Sequence, residues 1–287
     1  MMLAMTVVWG STFSIVKVAM QDISPVLFIA LRFLLAGTLI GLAFRRRIFP
    51  LTRPAIQKGC LLGLFLFLGF VPQNIGLTMT TASKSAFITG MMVVFVPLLQ
   101  IVVERRAPKL GNVLGVLVVS LGLWFLTSPS EAAFNAGDAL MVVCAILFAV
   151  YIVYLDVVSR EMNTEQLVFL QMVSTGAFSW ITVALFEPPV FTVSSRSISA
   201  LLYLTVFATV LTTYVQTRYQ KETTPTRAVI IFSVEPVVAA IIAYFLLGER
   251  MGALGIFGGA LIVAGVLVSE LSDGIPILNR SVDTWEP

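Results

Sequence analysis

Apolar residues gather into ten long runs along the chain, and polar residues fall mostly between them. The runs cover roughly 2–20, 25–44, 56–77, 84–103, 110–127, 138–155, 165–186, 197–216, 227–248 and 251–270. A run of about 20 apolar residues, rising 1.5 Å per residue, crosses a hydrocarbon layer ~30 Å thick as one helix. The pattern therefore predicts an all-α integral membrane protein with ten transmembrane helices. Few charges interrupt the runs: Lys17 lies near the end of the first, Arg32 within the second and Glu235 within the ninth. The first run has no basic leader and no small-residue cleavage site, so it reads as a retained helix rather than a secretory signal.

Composition agrees with that pattern and narrows the chemistry. Apolar residues make up 58% of the 287 and charged residues 11%, against roughly 25% charged in an ordinary soluble domain. Lipid is the expected surrounding, and a net charge of +3 gives no reason to expect nucleic acid. The absence of histidine removes His triads, His metal sites and His proton relays. No segment reads G-x-S-x-G or G-x-x-x-x-G-K-[ST]. Cys60 and Cys144 sit in apolar stretches without ligand-like neighbours and read as small buried hydrophobes. No catalytic residue, metal or cofactor is expected. A membrane enzyme would need a nucleophile–base pair or a cluster of carboxylates at one depth. A channel would show a continuous polar stripe.

Lys and Arg between the runs set the expected orientation. One side collects Arg45, Arg46, Arg47, Arg53, Lys58, Arg105, Arg106, Lys109, Arg160, Arg218, Lys221, Arg227 and Arg280, thirteen in all, and the other side Lys84, Arg196 and Arg250, three in all. Both termini are accordingly expected in the cytoplasm, with the chain in the inner (plasma) membrane.

A polar phrase occurs twice. TTASKSA at 80–86 matches TTPTRAV at 223–229 at an offset of 143. Five helices separate the copies, and five is odd, so the second copy is expected to cross in the opposite sense. Gly122 and Gly265 share that offset; GNVLG at 111–115 and GIFGG at 255–259 lie at an offset of 144; Pro97 and Pro236, like Trp9-Gly10 and Phe148-Ala149, lie at 139. The expected organisation is two inverted five-helix repeats, 1–130 and 131–271, followed by a polar cytoplasmic tail, 272–287. Inverted repeats mark secondary transporters, whose solute site lies near the midplane between the halves. Exchanging the shapes of two oppositely oriented halves turns a state open to one face into a state open to the other. Fusion of the halves internalises what would be a dimer contact in a half-length ancestor, so a monomer is expected.

VVWGSTFSIVKVAM in the first run, LRFLLAG at 31–37, SAFITGMMVVFVPLLQIVVERRAP at 85–108 and EPVVAAIIAYFLLGERMGALGIFGGALIVAGVLV at 235–268 resemble the EamA family of the drug/metabolite transporter superfamily. The resemblance covers nearly the whole chain. It implies a cavity lined by helices 1, 3, 4, 6, 8 and 9, with helices 5 and 10 supporting the fold. It also implies export of amino acids, aromatic ones included, or of another small metabolite or drug. The Glu104-Arg105 and Glu249-Arg250 pairs do not superpose in the two halves, so Glu104 receives no role by symmetry.

Several residues carry two readings. Glu235, followed by Pro236, binds a substrate ammonium or carries a proton, or is a structural carboxylate. Pro97 and Pro236 are hinge candidates, since proline removes a backbone donor. Trp9, Gly10, Ser11 and Thr12 line the cavity or pack helices through small residues. Gln73 and Asn74 meet the polar ends of a solute or join helices. Ser85, Thr89, Tyr151, Thr209, Thr213, Tyr214 and Phe232 complete the cavity candidates, whereas Tyr154 is assigned to the interfacial belt. Lys84 and Arg227 snorkel to the interface, or capture anions and gate the two faces. Arg32 is expected to reach the outer interface or a neighbouring carbonyl. The G-x-x-x-G pairs Gly37/Gly41, Gly59/Gly63, Gly111/Gly115 and Gly255/Gly259 are expected to pack helices.

Overall fold

The computed structural model describes residues 1–104, 108–127, 134–249, 252–272, 275 and 278. Arg105, Arg106, Arg250 and Arg280, the boundary between 130 and 131, and nearly all of the tail lie outside the described residues. Ten helical segments follow one another: α1 (Met2–Ala19), α2 (Pro25–Ile48), α3 (Arg53–Leu77), α4 (Ala82–Gly90 continued by Met92–Glu104), α5 (Leu110–Thr127), α6 (Ala136–Glu161), α7 (Thr164–Phe186), α8 (Ser195–Gln220), α9 (Pro225–Phe232 continued by Glu235–Leu247) and α10 (Ala253–Leu271). Among the described residues, nine are long and apolar enough to cross a membrane, and α5 is a shorter apolar helix. Short connections force each helix to reverse the one before it.

The repeated polar phrase has a local cause. A helix leaves its first backbone N–H groups without partners, and a Thr side chain just before the helix supplies an acceptor. Thr81 accepts from the Lys84 amide at 3.1 Å and opens α4, and Thr224 accepts from the Arg227 amide at 3.3 Å and opens α9. Both helices then break after a short first segment, at Met91 in α4 and at Ser233-Val234 in α9. Met91 and Val234 are related by the same offset of 143 that relates the two capping threonines. Pro236 follows the second break directly, whereas Pro97 lies well inside the second segment of α4.

Helix packing pairs elements of the first five segments with elements of the last five: α5 with α10, α2 with α7, α3 with α6 and α7, α1 with α9, and α4 with α6. The α1–α9 and α6–α4 contacts exchange under the relation expected of the repeats. The outward faces carry large exposed apolar side chains, among them Leu42, Phe186 and Phe245 at 76, 80 and 78% exposure. Such a surface suits lipid contact. In water an apolar patch this extensive would mark an unmet interface.

Inside the bundle, lipid gives helices no hydrophobic reason to associate, so close backbone approach matters. A Cβ on Gly122 would sit 2.7 Å from the Gly258 carbonyl oxygen, and one on Gly265 would sit 2.9 Å from the Val119 amide nitrogen. These two glycines, matched in the sequence, are where α5 and α10 touch. Gly63 meets α7 the same way, with the Gln171 carbonyl oxygen 2.8 Å from its Cβ position. Gly122→Leu is therefore expected to lower thermal stability in detergent by at least the ~1–3 kcal/mol of core overpacking. Gly252→Ala, a site with nothing within 4 Å, should change it little; equal melting temperatures for the two variants would contradict the packing account.

Candidate functional site

A cavity of about 80 Å³ lies at the centre of the bundle, lined from α1, α2, α3, α4, α6, α8 and α9. A water needs roughly 10–15 Å³ counted in the same way, so there is room for several waters or one small solute. The lining follows helical spacing. Trp9 and Thr12 come from one face of α1, as do Leu66, Phe70 and Gln73 from α3, and Phe148, Tyr151 and Ile152 from α6. Thr89 and Met92 flank the break in α4; Phe232 and Glu235 flank the break in α9. From α8 come Ala208, Thr209, Thr213 and Gln216, and from α2 Arg32 and Phe33.

Helix α8 is irregular where it meets the cavity. Residues Val206–Leu211 form a π-helical turn, in which the Thr209 hydroxyl donates to the Leu204 carbonyl five residues back at 2.8 Å. Widening of this kind redirects carbonyls and is common at functional sites. Three donors converge on the Ala208 carbonyl. They are the Thr212 hydroxyl at 2.8 Å, Trp9 Nε1 at 3.3 Å and Arg32 Nη2 at 3.2 Å. Trp9 Nε1 also donates to Thr212 Oγ1 at 2.9 Å, and the Trp9 ring meets Phe232 edge-on at 5.2 Å. Arg32 Nε donates to Thr209 Oγ1. The Arg32 side chain is only 3% exposed, and its guanidinium lies 5.2 Å from the Phe70 ring centre.

Glu235 is 8% exposed. Its carboxyl makes no hydrogen bond or ion pair with another described residue. On the α6 wall, the Tyr151 hydroxyl donates to Gln171 Oε1 at 2.8 Å, and Gln171 Nε2 donates to Thr217 at 3.2 Å. Tyr154 instead meets Phe65 edge-on.

Of the residues singled out in the sequence, the cavity brings together Trp9, Thr12, Gln73, Thr89, Tyr151, Thr209, Thr213, Phe232 and Glu235. The others lie elsewhere. Gly10 lets α9 approach, since its Cβ position is 3.0 Å from the Glu235 carbonyl oxygen. Ser11 bonds the Val8 carbonyl and the Tyr203 hydroxyl. Asn74 donates to the Pro25 carbonyl at 3.2 Å. Ser85 is buried with no partner for its hydroxyl among the described residues. Tyr214 donates to Glu165 and stacks on Phe44. Arg32 and Gln216, cavity residues here, were not among the sequence candidates. An arginine within a span was the available signal for the first, and the polarity of α8 for the second.

The two cations of the repeated phrase sit at opposite ends of the bundle. Lys84 pairs with Asp138 at 2.6 Å, and Thr80 donates to the same carboxylate at 2.8 Å. Lys17 reaches the Thr80 carbonyl at 2.6 Å, so α1, α4 and α6 are tied at that face. The Glu249 carboxylate accepts from the Ala82 and Ser83 amides at the start of α4. At the other face Arg227 pairs with Glu270 at 2.8 Å, and Gln100 accepts from the Thr226 hydroxyl at 2.6 Å. In the connection after α1, the Arg196 fork and the Ser194 hydroxyl hold the Asp22 carboxyl below its usual range.

Fold and cavity together define a multi-pass membrane protein with an internal, largely apolar cavity that carries a few polar and two charged side chains among the described residues. The chain belongs to the EamA-like transporter family, which matches residues 1–128 and 135–271. An uncharacterized transporter of Archaeoglobus fulgidus is 33% identical over 264 residues, covering 92% of this chain and 82% of the relative. Protein PagO of Salmonella typhimurium is 22% identical over 285 residues, covering 96% and 93%. A solved crystal structure at 20% identity superposes with a TM-score of 0.77 over 94% of this chain and 95% of that one, a likeness of fold.

The Tyr151–Gln171 bond gives a direct check of the packing around the site. Tyr151→Phe leaves the fully buried Gln171 oxygen without its donor, at an expected cost of about 1–3 kcal/mol. Tyr154→Phe, which removes the hydroxyl of a half-buried residue with no such partner among the described residues, should leave the melting temperature nearly unchanged. Equal shifts would contradict the geometry.

Proposed function

We propose that the protein is a secondary transporter that exports amino acids, aromatic and apolar ones foremost, by alternating access across the inner membrane, working as a monomer. The observation that carries this reading is the chemistry of the cavity. Among the described residues its charged side chains are Arg32 and Glu235, set among hydroxyls, amides and the rings of Trp9, Phe33, Phe70, Phe148, Tyr151 and Phe232. A lining with one charge of each sign and much aromatic surface suits a small zwitterion with an apolar side chain. A multiply charged solute would leave charge unbalanced in a low-dielectric site.

The halves supply the motion. The breaks in α4 and α9 divide those helices at related positions beside the cavity, and each break is a place where the two segments of a helix can change angle. Lys84–Asp138 latches one face and Arg227–Glu270 the other. Releasing one latch while the other holds would expose the cavity to one side at a time. Glu235 carries the coupling. A carboxyl lining the cavity, without a hydrogen-bond or ion-pair partner among the described residues, can hold a proton when the site is empty and an ammonium when it is filled.

Glu235→Gln in proteoliposomes is expected to preserve counterflow of an accepted amino acid while removing uptake driven by a proton gradient. Unchanged proton-driven uptake would end the coupling role. Membrane sidedness has its own check. Single cysteines at 84 and 227, in a background with Cys60 and Cys144 replaced, should label with an impermeant reagent from opposite faces. Labelling from the same face would overturn the inverted arrangement.

A further inference from the structure

We infer that Arg32 receives the carboxylate of the transported solute, and that the π-helical turn of α8 holds it ready to do so; the inference rests on the amino-acid reading above and deepens it. The starting point is the cost of a buried cation. Transfer of a guanidinium from water to a bundle interior is unfavourable unless anions or acceptors replace its hydration. Arg32 is 3% exposed, yet no carboxylate pairs with it among the described residues. Its protein acceptors are one hydroxyl, Thr209 Oγ1, on Nε and one carbonyl, Ala208, on Nη2. A guanidinium has five N–H donors. The Nη1 donors are left without a protein acceptor among the described residues, and the side chain lines the cavity.

The two acceptors do more than lower the cost of burial. Both lie in the π-helical turn Val206–Leu211, and both are engaged elsewhere, Thr209 with the Leu204 carbonyl and Ala208 with Trp9 and Thr212. Phe70 and Phe33 place ring surface against the guanidinium at 5.2 and 5.8 Å. Arg32 is thus fixed along one edge by hydrogen bonds and supported on its face by rings, with the other edge unclaimed. A planar fork fixed in this way is suited to a carboxylate, which accepts from it in two places. Glu235 lines the same cavity without forming an ion pair with Arg32. Two opposite charges that share a cavity and stay apart are complementary to the two ends of a zwitterion.

The test measures ligand-induced thermal stabilisation of purified full-length protein in detergent. The probes are the standard L-amino acids, their carboxamides and their decarboxylated amines. In the wild type, at least one amino acid should stabilise the protein more than its carboxamide does. Arg32→Gln should weaken that acid by about tenfold or more, as expected for a lost charge-assisted pair, and leave the carboxamide as it was. Arg32→Lys keeps the charge without the fork and should fall between. Thr209→Val, which loosens Arg32 without removing it, should narrow the preference for acid over amide and serves if Arg32→Gln does not fold. An arginine with a merely structural role would weaken acid and amide alike, and that result overturns the inference while the amino-acid reading stands. Binding of amines but not acids, or of no probe, overturns both.

Discussion

Backbone polar groups inside a bilayer find no water, so a helix can depart from regular geometry only where protein covers it. Among the described residues three departures adjoin the cavity, and a fourth, the non-helical Phe44 near the end of α2, lies outside its lining. The break in α4 lies between Thr89 and Met92, that in α9 between Phe232 and Glu235, and the π-helical turn of α8 contains Ala208 and Thr209. The candidate site and the irregular backbone of α4, α8 and α9 thus lie together. On the periphery the helices carry large exposed apolar side chains such as Leu42, Phe186 and Phe245. The Ala208 carbonyl illustrates the consequence. Set in the π-helical turn, it accepts from Trp9, Arg32 and Thr212, side chains of three helices.

Symmetry of backbone coexists with asymmetry of side chains. Thr81 and Thr224 cap α4 and α9 alike, and both helices break at matched positions. The flanking interactions differ. A Glu249 carboxylate accepts from the amides opening α4, whereas the Gln100 amide oxygen serves at the opening of α9. Lys84 finds its anion on α6, and Arg227 finds one on α10. On the proposed mechanism, two related halves with unequal latches would give two states of similar architecture and different stability. A transporter needs that arrangement if a solute or proton is to shift the balance between them.

The capping phrase TTASKSA/TTPTRAV was legible because N-capping is local. Thr81 and Thr224 act on amides three residues away, so the same letters give the same structure wherever they fall. Gly122 and Gly265 were legible as packing sites for a related reason, since small residues in apolar helices have few other uses. Asn74, Ser11 and Tyr214 were not legible as helix-joining residues. Each is a polar side chain in an apolar run, as Gln73 and Thr12 are, and only the facing helix distinguishes those that bond across to a neighbouring helix from those that border a cavity. Arg32 is the sharpest case. The expected neighbouring carbonyl is there, at Ala208, but the site that makes the residue notable is built from helices far away in the chain.

The sequence alone determined the number of helical segments, their short connections, the two capping sites and the presence of a lone carboxylate deep in the ninth run. These follow from contact with lipid and from hydrogen bonds a few residues long. The tertiary structure decided which faces turn inward. In a soluble helix the apolar stripe marks the core, but in a lipid-immersed bundle the outer face is as apolar as the inner one, so that signal disappears. Which polar groups meet at the cavity then depends on helix rotation and close approach, set by contacts such as Gly10 with α9 and Gly63 with α7.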